Sequence, residues 1–149
     1  MSTAAPIRLE SEGLVEALHN ALMHDFRDGF DAVEWRAVPE AAEQARRLPL
    51  FVSEVMFYAA QEAIRNAARH ARGGQADRKL HLSVVVECGP GLRIIIVDDG
   101  IGRSRAVDTA GSGSGLQFHT AMLAVVGGTL GVSERASGGT QVVIELPGN

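Results

Sequence analysis

Leu92-Arg93-Ile94-Ile95-Ile96-Val97-Asp98-Asp99-Gly100-Ile101-Gly102 holds a strand and its abrupt end. Leu92 to Val97 is nearly all apolar and β-branched, so a buried strand is expected there. Two carboxylates and two glycines follow. The strand end fixes Asp98 at the rim of a sheet, while Gly100 and Gly102 permit a tight turn and close approach of a ligand to the backbone. Just upstream, Leu80, Leu82, Val84 and Val86 alternate with His81, Ser83, Val85 and Glu87, which predicts a second strand with one apolar face. Cys88-Gly89-Pro90-Gly91 joins the two as a hairpin.

Working outward, residues 98–114 have no apolar rhythm and are rich in Gly and Ser, so they read as a loop. A helix is expected over about 115–126, stopped by Gly127-Gly128. Thr129–Glu134 and Thr140–Leu146 read as strands joined through Ala136-Ser137-Gly138-Gly139. Upstream, Pro49 opens the strongest helix, about 50–71, along which Val52, Met56, Ala59, Ala63 and Ala67 make an apolar stripe. Arg72-Gly73-Gly74-Gln75 ends it. Residues 11–28 predict an amphipathic helix with Ser11 as N-cap, Ala32–Arg36 a short strand, and Pro39–Arg47 a polar connection. Five strands and three helices in this order predict an α+β fold, a two-layer α/β sandwich with a mixed sheet and the helices on one face. Residues 1–149 are expected to form a single domain.

Composition narrows the function. A net charge of −4 argues against a nucleic-acid surface, which needs a basic stripe. One nucleotide remains compatible, because backbone N–H groups and a few cations can hold phosphates. Cys88 is the only cysteine, which excludes an internal disulfide and fits a reducing cytoplasm. The N-terminus lacks the order of a signal peptide, and no apolar run approaches the roughly 18 residues of a membrane span. A cytoplasmic domain without membrane contact is expected.

Four features carry candidate chemistry. Glu62, Asn66 and His70 fall at four-residue steps on one helix face, beside the apolar stripe. Asp98-Asp99-Gly100-Ile101-Gly102 offers a carboxylate that, if buried, would select adenine over guanine by accepting from an exocyclic amine. Gly111-Ser112-Gly113-Ser114-Gly115 precedes a helix, where backbone amides and the helix N-terminus favour phosphate. Gly138-Gly139-Thr140 lies between the last two strands. Taken singly, these are a polar helix edge, an Asp-Gly turn, a flexible linker and a hairpin turn. No Gly-Lys-Ser/Thr follows the glycines, so the third is not a P-loop.

In order, E-x-x-x-N-x-x-x-H, D-x-G-x-G, G-x-G-L and G-G-T resemble the GHKL nucleotide-binding superfamily, which includes sensor histidine kinases, type II topoisomerases, a heat-shock chaperone, mismatch-repair ATPases and anti-sigma-factor kinases. Gln61 to Ala71 is similar to the N box of the nitrate-sensor-like kinases. Asp98–Gly102 is similar to the first glycine box, and Gly113-Ser114-Gly115-Leu116 to the second. Val126-Gly127-Gly128-Thr129-Leu130, Gly138–Val142 and Leu9–Leu14 extend the likeness to about residues 9–147.

The resemblance implies the catalytic, ATP-binding domain of a bacterial sensor histidine kinase, with a Bergerat fold. It implies ATP and Mg²⁺ as cofactors. Asp98 would bind the adenine amine with help from Thr140; Gly100, Ile101 and Gly102 would line the base; Asn66 would ligate Mg²⁺. His70 or Arg69 would lie near the phosphates, with Gly113, Ser114, Gly115 and Leu116. Residues 103–114 would form a lid carrying Arg103 and Arg105. Glu62 would orient or deprotonate a histidine on a separate helix. The implied partners are a dimerisation domain bearing that histidine and a downstream response regulator. His24-Asp25 superficially fits the acceptor pattern but lacks its basic lead-in, so the chain is expected to be a fragment without the dimerisation and sensor regions, or a protein that works in trans.

Three other functions are weighed. An anti-sigma-factor-type serine kinase shares the N box but is disfavoured by Gly138-Gly139-Thr140 and by Leu9–Leu14. A hydrolytic ATPase would carry a transducer domain after the last strand. A module without nucleotide binding conflicts with intact Asp98, Asn66 and Gly102.

Overall fold

The computed structural model describes residues 9–102 and 114–148. At its centre is a five-stranded sheet of β1 Ala32–Ala37, β2 His81–Cys88, β3 Leu92–Asp98, β4 Thr129–Glu134 and β5 Thr140–Leu146. The spatial order is β1-β2-β3-β5-β4. β1 runs parallel to β2, and the other pairs are antiparallel. The sheet is therefore mixed, as expected. Alternation along the strands sorts its two faces. Leu82, Val84 and Val86 of β2, Leu92, Ile94 and Ile96 of β3, and Val142 and Ile144 of β5 point inward and are buried. The other face carries the row Glu87–Arg93–Glu145, where Arg93 reaches both carboxylates at 3.2 Å.

Helices α1 Leu14–Ala21, α2 Pro39–Arg46, α3 Leu50–His70 and α4 Ser114–Val125 supply most of the rest of the buried core, with Leu9, Leu22, Phe30, Ala71 and Leu80 from the segments before and between them. Small residues decide how closely α3 lies on the sheet. Ala59, Ala60, Ala63 and Ala67 are all buried, beside Met56, Phe57 and Ile64. Pro49 stands at the N-cap of α3, where its missing N–H costs nothing.

Two expectations need correction. Pro39–Arg46 is a helix, not a polar connection. Only Ala41 and Ala45 are buried, with Ala42 partly buried beside them, so its apolar stripe is a few methyl groups and leaves almost no periodic signal. Pro39 in the first turn, Glu40 beside it and Arg46 in the last turn are the helix signals that remain. The first helix is also shorter than residues 11–28. Gly13, at φ +87°, holds its N-cap position in place of Ser11. At the other end the backbone widens into a π-turn over Leu22–Phe26, then tightens over Arg27–Gly29.

One cluster fixes the C-terminal end of α3 against the sheet. Arg72 donates to the carbonyls of Gly29 (2.8 Å) and Arg78 (3.0 Å) and to the Asp31 carboxylate (3.0 Å). Asp31 also accepts the Leu80 N–H at 2.7 Å. The starts of β1 and β2 and the end of α3 are thereby held in one place.

Candidate functional site

Asp98 continues the inward series Leu92, Ile94, Ile96, so a carboxylate stands where the pleat places a core residue. It is 7% exposed. Its Oδ1 accepts the Gly100 N–H at 2.8 Å, and the backbone N–H of Thr140, its cross-strand partner, also supports it. Burial nevertheless pushes the carboxyl above the ordinary carboxylate range, against the pull of those two donors. The neighbouring Asp99 raises it further, and Arg135 opposes.

Glycines bring three segments to this carboxylate. A methyl group on Gly100 would strike the Ala71 carbonyl, and the Ile101 N–H donates to that same carbonyl at 2.9 Å. The loop after β3 is thus fastened to the residue that ends α3. Gly139, at φ +98°, lies so close to the Asp98 carbonyl that no side chain fits. Its own carbonyl accepts the Arg135 N–H at 3.0 Å and closes the β4–β5 turn. Gly102, at φ +90°, is buried beside Gly139 and Glu134. Ile101 is half-buried and packs against Gly73.

On α3, Glu62, Asn66 and His70 share one face and are partly buried, whereas Arg69 is exposed. Glu62 forms an ion pair with Arg65 at 2.8 Å, and the Arg65 guanidinium lies 5.6 Å from the centre of the Phe26 ring. A methyl group on Gly115 would strike the Glu62 carboxylate, so the first turn of α4 rests directly on this residue. Asn66, Arg69 and His70 make no side-chain hydrogen bond or ion pair among the described residues, which leaves their polar atoms free for a ligand. Leu116 is buried in the core, and Thr140 is half-buried. Gly113, Arg103 and Arg105 lie outside the described residues, as does the side chain of Ser114.

Three segments far apart in sequence therefore converge: the end of α3 on the loop after β3, that loop and the end of β3 on the β4–β5 turn, and the start of α4 on Glu62. Ala71 and Gly139 make the first two contacts, and neither has an individual role assigned from the sequence alone. Gly139 is visible there as part of Gly-Gly-Thr, and Ala71 only as the last residue of the stretch that resembles the N box. His119 is a further residue that no sequence pattern marks. It follows Gly115 by one helical turn on α4, and burial lowers its ring pKa, with Glu62 opposing and Arg65 adding to the effect.

Among the described residues, no group of three His, Cys, Asp or Glu side chains is placed to hold a metal, and no helix is long and apolar enough to cross a membrane.

The sequence profile described as histidine kinase-, DNA gyrase B-, and HSP90-like ATPase matches residues 52–149. Similar solved structures include the histidine kinase domain of the blue-light activated histidine kinase EL346 from Erythrobacter litoralis, at 21% identity and a TM-score of 0.67. That similarity covers 91% of this chain and 65% of the other. The longer structure of the same kinase matches at 18% identity and a TM-score of 0.68, covering 91% of this chain and 42% of that one. The mycobacterial sensor histidine kinase MprB matches at 20% identity and a TM-score of 0.60, covering 91% and 94%. This chain thus spans less than two thirds of the Erythrobacter structures it resembles. No curated protein sequence matches it. The fold is shared with these kinase structures, and by the profile over residues 52–149 the chain belongs to the histidine kinase-, DNA gyrase B- and HSP90-like ATPase family.

Proposed function

We propose that this domain binds Mg-ATP and donates the γ-phosphate to a histidine on a separate dimerisation helix, as the cytoplasmic catalytic half of a two-component kinase. The observation that carries this reading is the buried Asp98 carboxylate, raised in pKa by burial and held where the loop after β3 meets the end of α3 and the β4–β5 turn. An ionised carboxylate in such a place is costly unless a donor completes it. The exocyclic amine of adenine is that donor, and the carbonyl of guanine is not. Thr140 flanks the base, and Gly100, Ile101 and Gly102 line it.

Asn66 offers a partly buried amide oxygen with no other partner among the described residues. A hard oxygen donor of this kind suits Mg²⁺, which keeps most of its waters and takes one or two protein ligands. Bound there, the ion would neutralise charge on the phosphates. Arg69 or His70, one turn further on α3, faces the same phosphates. The second glycine segment, Gly113-Ser114-Gly115-Leu116, supplies backbone N–H groups and the N-terminal end of α4.

The acceptor imidazole nitrogen attacks the γ-phosphorus, the bond to the bridging oxygen of ADP breaks, and Glu62 receives or orients the imidazole proton. The ion pair with Arg65 holds the Glu62 carboxylate in position. The acceptor helix comes from a dimerisation domain, and a response regulator takes the phosphoryl group onward.

The test is to incubate the domain with radiolabelled ATP and a histidine-bearing dimerisation domain. Acid-labile label on that domain is expected. Glu62→Gln should lower the transfer rate by about 10²- to 10⁴-fold while ATP still binds. Asn66→Ala should remove the Mg²⁺ dependence of nucleotide binding. Acid-stable label on a serine of a partner would favour the serine-kinase alternative instead.

A further inference from the structure

His119 is a titratable side chain to which the reading above gives no task. It stands one turn beyond Gly115 on α4, as Tyr58 stands one turn before Glu62 on α3. A methyl group on Gly115 would strike the Glu62 carboxylate, and His119 and Tyr58 line one trough of about 240 Å³ between the helices. α3 and α4 therefore lie side by side in opposite directions, with the Tyr58–His119 layer next to the Glu62–Gly115 layer. Four residues, about 6 Å along a helix axis, separate the layers. The two oxygens of Glu62 are placed differently. Oε1 accepts from Arg65 at 2.8 Å, whereas Oε2 is the one nearest Gly115, on the side of α4.

Among the described residues, the groups that can sense a charge on His119 are few. Glu62, Arg65, Glu54 and the Tyr58 phenol face it from α3. α4 has no other titratable residue. β4, the other element packed broadly on α4, has only Glu134, which lies beside Gly102. Burial disfavours the protonated ring, Glu62 opposes that effect and Arg65 adds to it. A carboxylate acts as a base only while the cations around it leave it some proton affinity. Arg65 is one such cation. A protonated His119 would be a second, one layer away and on the Oε2 side.

We propose that His119 is a positioning residue for Glu62: as a neutral ring it leaves Oε2 free to take the acceptor's proton, and as a cation it captures the carboxylate and stops transfer. The proton that closes the switch comes from solvent along the trough, onto which the half-buried His119 opens. The role of Glu62 as base rests on the function proposed above; the coupling of the two side chains does not.

The experiment times single-turnover transfer from radiolabelled ATP to a histidine-bearing dimerisation domain between about pH 5 and pH 8, which spans the ordinary histidine value. The acceptor titrates in every sample, so the ratio of variant to parent rates cancels it. For His119→Gln, which takes no proton, that ratio should rise at least about threefold from about pH 8 to about pH 5. His119→Lys, a fixed cation, should transfer about tenfold or more slowly than His119→Gln across the range. ATP affinity should stay within about threefold in both variants, so that the effect falls on transfer and not on binding. Ring resonances of the isotope-labelled domain, titrated with acid, give the second readout. Glu62→Gln should move the His119 midpoint down and Arg65→Met should move it up, since one removes a partner of the cation and the other a competitor. Midpoints unmoved in both variants overturn the coupling. A rate ratio that is flat with pH, or His119→Lys as fast as His119→Gln, overturns the switch. Midpoints that move as stated in a domain that labels no histidine support the coupling and overturn the transfer reading alone.

Discussion

Asp98 and Asp99 are neighbours at the end of β3, and the sheet sends them to opposite fates. Asp98 follows Leu92, Ile94 and Ile96 inward, is 7% exposed, and is pushed up in pKa by burial. Asp99 falls on the other side of the pleat. There its carboxylate accepts the His81 N–H and meets the His81 ring nitrogen, both at 2.7 Å. Burial acts on Asp99 too, but those contacts outweigh it and leave its pKa below the ordinary value. One carboxylate thus holds an energetic cost that the proposed ligand's donor would relieve, and the other fastens the loop to the start of β2. Half a pleat separates the proposed recognition group from a structural one.

The largest expected effect breaks the Asp98 side of this pair through its backbone. Gly139 lies on the Asp98 carbonyl at φ +98°, whereas a methyl group on the adjacent Gly138, at φ +105°, would meet nothing within 4 Å. Both would lose the freedom of glycine, but only Gly139 would also collide. Gly139→Ala should therefore cost about 3 kcal/mol in urea unfolding, and Gly138→Ala about 1 kcal/mol. Equal costs would mean that the turn is free to move off Asp98.

The next effect is on affinity. Asp98→Asn keeps the shape and presents an amide whose acceptor is neutral and whose donor can face the adenine amine. ATP should bind about 10- to 100-fold more weakly by calorimetry, the worth of one hydrogen bond to a charged group. Asp99→Asn should change ATP affinity by less than about threefold, since its carboxylate is turned to His81. Matching losses in the two variants would dissolve the distinction and remove Asp98 from base recognition.

Much of this arrangement is legible in the chain itself. The β2–β3 and β4–β5 hairpins have β-branched apolar runs and glycine-marked turns, and the structure places those strands within about a residue of the reading. Asp98 can be found because an acid breaks an apolar strand beside two glycines. α2 is hidden because Ala41 and Ala45 bury too little to set a rhythm. The Ala71–Gly100 contact, the Asp99–His81 pair and the α3–α4 trough depend on segments that meet only after folding, and no local pattern announces them. His81 looks like one more polar residue on an outward strand face until Asp99 is seen opposite it.

The smallest effect concerns pH, and the two carboxylates should show it with opposite signs. Asp99 has a lower pKa folded than unfolded, so its stabilisation is present above the ordinary carboxylate value of about 3.9 and is lost as pH falls through the lower folded value. The Asp99 side chain is 43% exposed and that of His81 56%, so solvent screens the pair and about 1 kcal/mol or less is at stake. Asp99→Asn should melt a few degrees below the parent at pH 7, with the gap closing below about pH 4. Asp98 has the raised pKa, so its favourable contribution is present below the ordinary value and lost as pH rises through the folded one. Asp98→Asn should accordingly be at least as stable as the parent at pH 7, its advantage shrinking in acid. Thermal melts of both variants between about pH 3 and pH 7 span the window in which the carboxylates titrate. A gap for Asp99→Asn that persists in acid would show that its role is steric, leaving burial of Asp98 as the only electrostatic feature of the strand end.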